Sequence, residues 1–329
     1  MRFAIIGTNF VSDMFMEGAL SIDECEVVAV CSRNPQNAQK FAEKYNIPNV
    51  FDTYAEMCAW GGFDVAYVAT PNSTHKEIAE FFLNAGFHVF CEKPMASNYN
   101  EVKDMVDCAR RNNVYLHEGV LPLYSENFKI IKENLYRVGR IRQVNINMSQ
   151  YSSRYDAYLE GKNPTTFRRE LCNGATMDLG VYTLALCIAL FGEPKSTQSA
   201  SVMLDTGVDV SSASILVYDG FLVNLAYSKA NNTTNRFEIC GEKGALVMDH
   251  PTRLQSVTFK ANGSGECVEL AVKHKGLFYY EIEEMIECIK NGKTESDSVP
   301  LDMSLALHKQ LTRIRANEGI VFPADEAKE

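Results

Sequence analysis

The chain has 329 residues, a formal net charge of −10 and a sequence pI of about 5.2, with 46% hydrophobic and 22% charged residues. That length asks for two domains, and the acidic balance disfavours non-specific nucleic-acid or anionic-membrane binding, which needs clustered Lys and Arg. Ten cysteines without a CxxC pair or any other metal pattern read as reduced thiols of a cytoplasmic protein, and neither the short apolar start MRFAIIGTNF nor the run Val181 to Phe191 reaches signal-peptide or membrane-span length.

Arg2 to Ile6 is the first expected strand, followed by Gly7-Thr8-Asn9-Phe10-Val11-Ser12 and a helix to about Leu20. A dinucleotide-binding GxGxxG turn would sit here. Only its first glycine is present; Asn9 stands second and Ser12 third. Asn tolerates positive φ, Ser is small, and main-chain N–H groups at a helix start suit a pyrophosphate. Gly7, Thr8, Asn9 and Phe10 are therefore the candidate phosphate turn, against the competing reading of a plain strand–turn–helix. Glu26 to Cys31 is the second strand. After it stand Ser32 and Arg33, with no acid to accept a ribose 2′-hydroxyl. Both are donors that suit a 2′-phosphate, which favours NADP over NAD. Arg33 as a solvated turn residue, or stacked on adenine, is the alternative.

Helices over 37–45 and 54–60 flank a small strand, Asn49 to Phe51. Asp64 to Ala69 is the fourth strand. It runs into Thr70-Pro71-Asn72-Ser73-Thr74-His75, a loop expected beside the nicotinamide, so Thr70, Pro71, Asn72 and His75 join the cofactor set. A solvent-facing His75 in the first turn of the next helix is the competing reading. That helix covers about 76–85 and Gly86 stops it. Phe87 to Cys91 is the fifth strand, ending in Glu92-Lys93-Pro94. Ligands of open α/β sheets bind at this carboxyl end, and a partly shielded lysine there suits proton transfer. Lys93 reads as the proton-handling residue of an oxidoreductase, with Glu92 beside it at the cofactor. A helix over 98–112 and a strand over 114–117 complete a parallel, doubly wound sheet, a first domain of residues 1–121.

The second domain, residues 122–329, has a different pattern. A helix is expected over 125–136 and strands over 140–150, 214–218, 221–227, 236–240, 245–248, 254–260 and 267–272. Asp219-Gly220 is a two-residue hairpin signal. The fold class is α/β: a doubly wound parallel sheet plus an α+β domain with a large, open, mostly antiparallel sheet. The sheet's partly apolar exposed face is expected to be a subunit interface. Asn173 to Tyr182 leads into an apolar, buried helix to Phe191. Asp178 and Tyr182 are four apart and share a face; they read either as a structural hydrogen bond or as groups turned into a cleft with Lys93. Arg154, Tyr155, Arg168 and Arg169, in the preceding loop, are candidate pocket residues or solvated charges. Helices over 277–290 and 302–318 close the chain, the second expected to pack toward the domain junction.

Three stretches carry a resemblance over essentially the whole chain: Asp64 to His75, Ala85 to Pro94, and Gly174 to Tyr182. With them the chain resembles the glucose–fructose oxidoreductase, inositol dehydrogenase and rhizopine-catabolism (Gfo/Idh/MocA) family. The resemblance implies an N-terminal Rossmann domain, a second domain whose open sheet forms dimers or tetramers, and hydride exchange between NAD(P) and a sugar, polyol or trans-dihydrodiol. It puts the family's lysine on Lys93 and its aspartate on Asp178. Tyr182 stands where many members have histidine, as in the branch resembling dimeric dihydrodiol and NADP xylose dehydrogenases. Tyr182 and Lys93 are then the expected proton-transfer pair, with Asp178 orienting the substrate hydroxyl or the lysine. Two other functions fit the same fold: a redox-neutral glycosidase with tightly held cofactor, and a non-catalytic NADP-sensing regulator. The regulator has no need of Lys93, Asp178 and Tyr182 together.

Overall fold

The computed structural model describes residues 1–276 and 278–326. In chain order it begins with β1 (Arg2–Ile6), α1 (Phe10–Ala19), β2 (Glu26–Cys31), α2 (Pro35–Tyr45), β3 (Asn49–Phe51), α3 (Tyr54–Trp60), β4 (Val65–Val68), α4 (His75–Asn84), β5 (His88–Glu92), α5 (Tyr99–Asn112) and β6 (Leu116–Gly119). It continues with α6 (Glu126–Asn134), β7 (Ile141–Ser149), α7 (Tyr155–Leu159), α8 (Val181–Phe191), β8 (Ser196–Met203), β9 (Asp209–Tyr218), β10 (Phe221–Ser228), β11 (Phe237–Gly241), β12 (Gly244–Met248), β13 (Val257–Ala261), β14 (Cys267–Glu269), α9 (Tyr279–Lys290) and α10 (Leu301–Asn317). The chain forms two compact units, one of Met1–Leu121 with Lys275–Leu305, the other of Pro122–His274 with the residues from Ala306.

The first unit is a six-stranded sheet in the order β3-β2-β1-β4-β5-β6, every neighbouring pair parallel. Strand residues alternate between its faces. Ala4, Ile6, Ala66 and Val68 meet Phe82 of α4 and Val102 and Met105 of α5. Phe3, Ile5 and Tyr67 meet Phe15 of α1, Phe41 of α2, and Phe278, Ile282 and Met285 at α9. The helix starts are written locally: the side chains of Asn9, Asn34, Thr53 and Asn98 each accept a main-chain N–H in the first turn of α1, α2, α3 and α5.

Several boundaries differ from the sequence expectation, such as β9, which starts at Asp209 rather than Ser214, and β13, which starts at Val257 rather than Leu254; two have an evident cause. Segment 275–305 belongs with the first unit rather than the second, because the apolar stripe of α9 fills the sheet face over Phe3, Ile5 and Tyr67. Leu277, where that helix was expected to start, lies outside the described residues. The sixth strand begins at Leu116 rather than Val114. Asn113 ends α5 in the left-handed conformation, φ 53°, and Val114 N still bonds back to Ala109 O, so the chain extends only afterwards.

The second unit is an eight-stranded sheet in the order β14-β13-β12-β11-β7-β10-β9-β8. All its neighbours are antiparallel except β7 and β10, which run parallel. The Asp219-Gly220 hairpin joins β9 to β10, with Tyr218 opposite Phe221 and Gly220 at φ 83°. The edge strand β8, STQSASVM, was not anticipated, because small polar residues mask its alternation. Helix α8 is buried from Val181 to Ile188. The stretch Arg169–Phe191 has the hydropathy and length of a membrane span, but 72% of that window is buried inside the fold, as expected of a core helix.

Candidate active site

In the first unit the candidate residues sit at the carboxyl ends of β1, β2, β4 and β5. Gly7 has φ +105°, and a Cβ there would lie 2.2 Å from Ala69 O, so only glycine fits. Ser12, fully buried, replaces the third glycine by donating its hydroxyl to Gly7 O at 2.9 Å. Asn9 acts differently from the sequence argument. Its φ is −91°, so tolerance of positive φ is not used. Instead its side chain caps α1 by accepting from Val11 N at 2.9 Å, and donates to Ala69 O at 2.9 Å. Thr8 Oγ1 donates to Ser32 Oγ at 3.2 Å, linking the ends of β1 and β2. Phe10 and Arg33 are exposed. The sterically closed Gly7 turn, the start of the ten-residue α1 and the donors Ser32 and Arg33 fit a dinucleotide.

After β4, Thr74 Oγ1 donates toward Thr70 Oγ1 and Pro71 O, both at 2.8 Å, and Asn72 opens a short 3₁₀ turn. His75 is only 1% exposed. Its Nδ1 lies 3.0 Å from Pro94 O and its Nε2 2.8 Å from Thr70 O. The ring therefore staples the β4 loop to the Lys93 turn. It is buried rather than solvent-facing, and both ring nitrogens lie against main-chain carbonyls, the single N–H of the neutral ring donating to one of the two. Burial holds its pKa below the ordinary histidine value.

Lys93 is half-buried at the end of β5, and the Lys93–Pro94 peptide is cis. Its flanks are pinned: Tyr67 OH donates to Glu92 Oε1 at 2.7 Å, and Met95 N donates to Glu118 Oε1 at 3.2 Å. Burial pushes the Glu92 carboxyl up to about 7, against the hydrogen bond from Tyr67 and the nearby Lys93 charge. A second buried acid lies within electrostatic reach of Glu92. Glu281 of α9 is 0% exposed, neither carboxyl oxygen has a hydrogen-bond partner among the described residues, and burial raises its pKa well above the ordinary range. Sequence reasoning passed over Glu281. The signal was there: it falls on the apolar stripe of Phe278, Ile282 and Met285.

In the second unit, Asp178 rides on a single π-turn, Thr176–Gly180, which feeds directly into α8. Such turns recur at functional sites. Its amino end is clamped by Asp209, 1% exposed, whose Oδ2 accepts from Thr176 N at 2.8 Å, Thr176 Oγ1 at 2.7 Å and Ser212 Oγ at 2.7 Å. Burial raises the Asp209 pKa, opposed by these donors. A Cβ on Gly174 would lie 2.4 Å from Asp209 Oδ1, and one on Gly180 would lie 2.8 Å from the Tyr227 ring. Lys229 forms an ion pair with Asp178 Oδ2. Tyr182, in the first turn of α8, is 9% exposed. Lys229 and Asp209 were not anticipated, since nothing local marks either as a partner of a turn far back in the chain. Of the four loop candidates, Arg169 is engaged by Val321 O and Glu326, Arg168 donates to Asn163 O at 2.8 Å, and Tyr155 packs on Phe167. Only Arg154 stays exposed. No group of three or more His, Cys, Asp or Glu able to hold a metal occurs among the described residues.

Residues 1–120 match the model described as an oxidoreductase family with an NAD-binding Rossmann fold, and residues 134–247 match the GFO/IDH/MocA C-terminal domain. The chain belongs to the GFO/IDH/MocA family. It is thus an oxidoreductase that uses a nicotinamide dinucleotide. Among this family's members it is 40% identical to the scyllo-inositol 2-dehydrogenase (NADP(+)) IolU of Bacillus subtilis, over 99% of this chain and 100% of that protein. It is 29% identical to a trans-1,2-dihydrobenzene-1,2-diol dehydrogenase of Danio rerio, over 99% of both. In fold it is similar to KijD10, a 3-ketoreductase from Actinomadura kijaniata solved with NADP and TDP-benzene. The TM-score there is 0.84 at 20% identity, over 97% of this chain and 98% of that one.

Proposed function

We propose that this member of the family is NADP-dependent and oxidises a secondary hydroxyl of a cyclic polyol, reducing the ketone in reverse. The observation that supports this most is Lys93 beside buried Glu92 at the end of β5, in a chain that aligns end to end with an NADP-dependent scyllo-inositol 2-dehydrogenase. A bound NADP⁺ would supply the acceptor for the hydride lost from the carbinol carbon. Lys93 carries the hydroxyl proton, Tyr182 is its partner in that transfer, and Asp178 orients the reacting hydroxyl. Ser32 and Arg33 recognise the 2′-phosphate, since both are donors and no acid follows β2. Gly7 to Phe10 hold the pyrophosphate, and Thr70, Pro71, Asn72 and Glu92 border the nicotinamide. The reading also includes self-association through the open sheet face, where Val202, Ile215 and Leu222 are exposed, and a cytoplasmic setting, in keeping with ten free thiols.

The test is a fluorescence titration of the protein with NADPH and NADH, then a panel of scyllo-inositol, sugars and a trans-dihydrodiol read at the nicotinamide absorbance. Tighter NADPH binding with turnover of scyllo-inositol is the expected result. Arg33→Ala weakens NADPH about tenfold, the loss of one charge-assisted contact, and leaves NADH unchanged. Tighter NADH binding by the wild type would sink the Arg33 assignment. Turnover confined to aldoses or diols would move the substrate away from cyclitols.

A further inference from the structure

The second unit buries a cation that the reaction scheme above does not use. Lys229 follows β10 directly, and its position is fixed from two sides by main chain: Lys229 N donates to Val210 O at 2.8 Å, and Ser152 N donates to Lys229 O at 2.8 Å. Its side chain is 8% exposed, whereas that of Asp178, its ion-pair partner, is 39% exposed. Burying an ammonium is expensive unless a carboxylate meets it. Asp178 supplies that carboxylate, so its Oδ2 is directed inward while the carboxyl group stays at the surface of the unit.

The turn beneath Asp178 is fixed by the same strand pair. Asp209, the first residue of β9, holds Thr176 through both main-chain and hydroxyl donors, and Lys229 emerges beside Val210, the next residue. The β9–β10 register thus sets both the height of the π-turn and the rotamer of its acid. A carboxylate that accepts a substrate hydroxyl needs this preorganisation, because an exposed aspartate alone samples several rotamers and loses entropy on binding. Loop arginines do not supply it: Arg168 and Arg169 are engaged elsewhere.

We propose that Lys229 is a positioning residue for the reaction, holding the Asp178 carboxylate in the one orientation that accepts a hydroxyl of the polyol. This rests on Asp178 being the hydroxyl-orienting group of the proposed function. Lys229 acts through Asp178 and does not itself touch the substrate.

The experiment is a double-mutant cycle in steady-state kinetics. Wild type, Lys229→Met, Asp178→Asn and the double variant are measured with NADP⁺ and the panel member that the wild type turns over best. A charge-assisted hydrogen bond is worth roughly 10- to 100-fold, so Lys229→Met is expected to lower kcat/KM by about 30-fold, mostly in KM, with NADPH affinity unchanged. Lys229→Arg, which keeps the cation, recovers most of that loss. The double variant is no worse than Asp178→Asn alone, because Lys229 has nothing to position once the acid is gone. Thermal melts of all four variants check that each is folded. A double variant that shows the product of the two single losses overturns the positioning role, and so does Lys229→Met with wild-type kinetics. If the wild type turns over no member of the panel, the proposed function falls and the role of Lys229 falls with it. Turnover with no Lys229 effect removes the role of Lys229 alone.

Discussion

The turn that carries Lys93, after β5, and the turn that carries Asp178, before α8, are held by different means. Around Lys93 the neighbours are near in sequence or lie on adjacent parallel strands. His75 reaches Pro94 O across 19 residues, Tyr67 reaches Glu92 across 25 and Glu118 meets Met95 across 23. Several of these bonds end on main chain, so the turn is fixed by backbone as much as by side chains. Around Asp178 the holding groups are side chains that arrive later: Asp209 lies 33 residues on from Thr176, and Lys229 lies 51 residues on from Asp178. The first turn is part of a contiguous motif. The second is held by residues that follow it much later in the chain. Changes at the first should therefore act on chemistry with little loss of fold, and changes at the second should act on both.

The largest effect tests the first half of that comparison. Lys93→Met is expected to lower kcat by about 10³-fold, in the range of a lost general acid–base group, with the melting temperature and NADPH affinity nearly intact. Lys93 is half-buried and the turn is held through Glu92, Pro94 and Met95, so the methionine sits on an unchanged backbone. Loss of NADPH binding in this variant would assign Lys93 to the cofactor rather than to the proton.

Asp209→Ala comes next and tests the second half. It strips the acceptor from Thr176 N, Thr176 Oγ1 and Ser212 Oγ inside the protein. Leaving buried donors unsatisfied costs about 1–3 kcal/mol each, and partial rehydration through the new space offsets part of that. We expect a destabilisation of about 3 kcal/mol in chemical denaturation, together with a fall in kcat/KM for the polyol. NADPH affinity is expected to hold, since nothing at the Gly7 turn changes. A variant that loses stability but keeps full turnover would mean that the π-turn needs no clamp.

These expectations also mark what was legible in the sequence. The first unit was legible because its signals are short-range: the Gly7 turn and the apolar strands act within a few residues. Glu92-Lys93-Pro94 and Asp178-to-Tyr182 were singled out because unusual polar residues stand at the end of an apolar strand and the head of an apolar helix. Their supports were not legible. Lys229 reads as an ordinary lysine after a strand, and Asp209 as an ordinary strand-leading acid; only the β9–β10 pairing brings them to the π-turn. The edge strand β8 was lost for a related reason, since Thr197, Ser199 and Ser201 on its more buried face are polar and leave no hydrophobic period. Helix α9 was seen as a helix but given to the wrong unit, because amphipathicity says that a face is covered and not by what.

The smallest effect concerns the acid on that helix and sharpens the contrast further, because Glu281 sits in the well-fixed first unit yet has no hydrogen-bond partner among the described residues. Glu92 and Glu281 both have folded pKa values raised by burial, Glu92 to about 7 and Glu281 well above the ordinary value of 4.5. A group raised in this way is protonated in both states below pH 4.5 and contributes fully there. As pH rises, the unfolded chain ionises first, so stability falls from pH 4.5 upward, through about 7 for Glu92. His117 opposes this: burial lowers it to about 3, so the unfolded state binds its proton first and stability falls as pH drops from 6.5 toward 3. Glu281→Gln removes one ionisable group of the first kind and leaves His117 alone. The variant should match wild type near pH 4 and exceed it at pH 7 on the order of 1 kcal/mol, as linkage gives for each unit of pKa shift. The measurement is denaturant unfolding at both pH values. An equal difference at pH 4 and pH 7 would mean that Glu281 does not titrate between folded and unfolded states, and the buried acid would then have to be solvated from within.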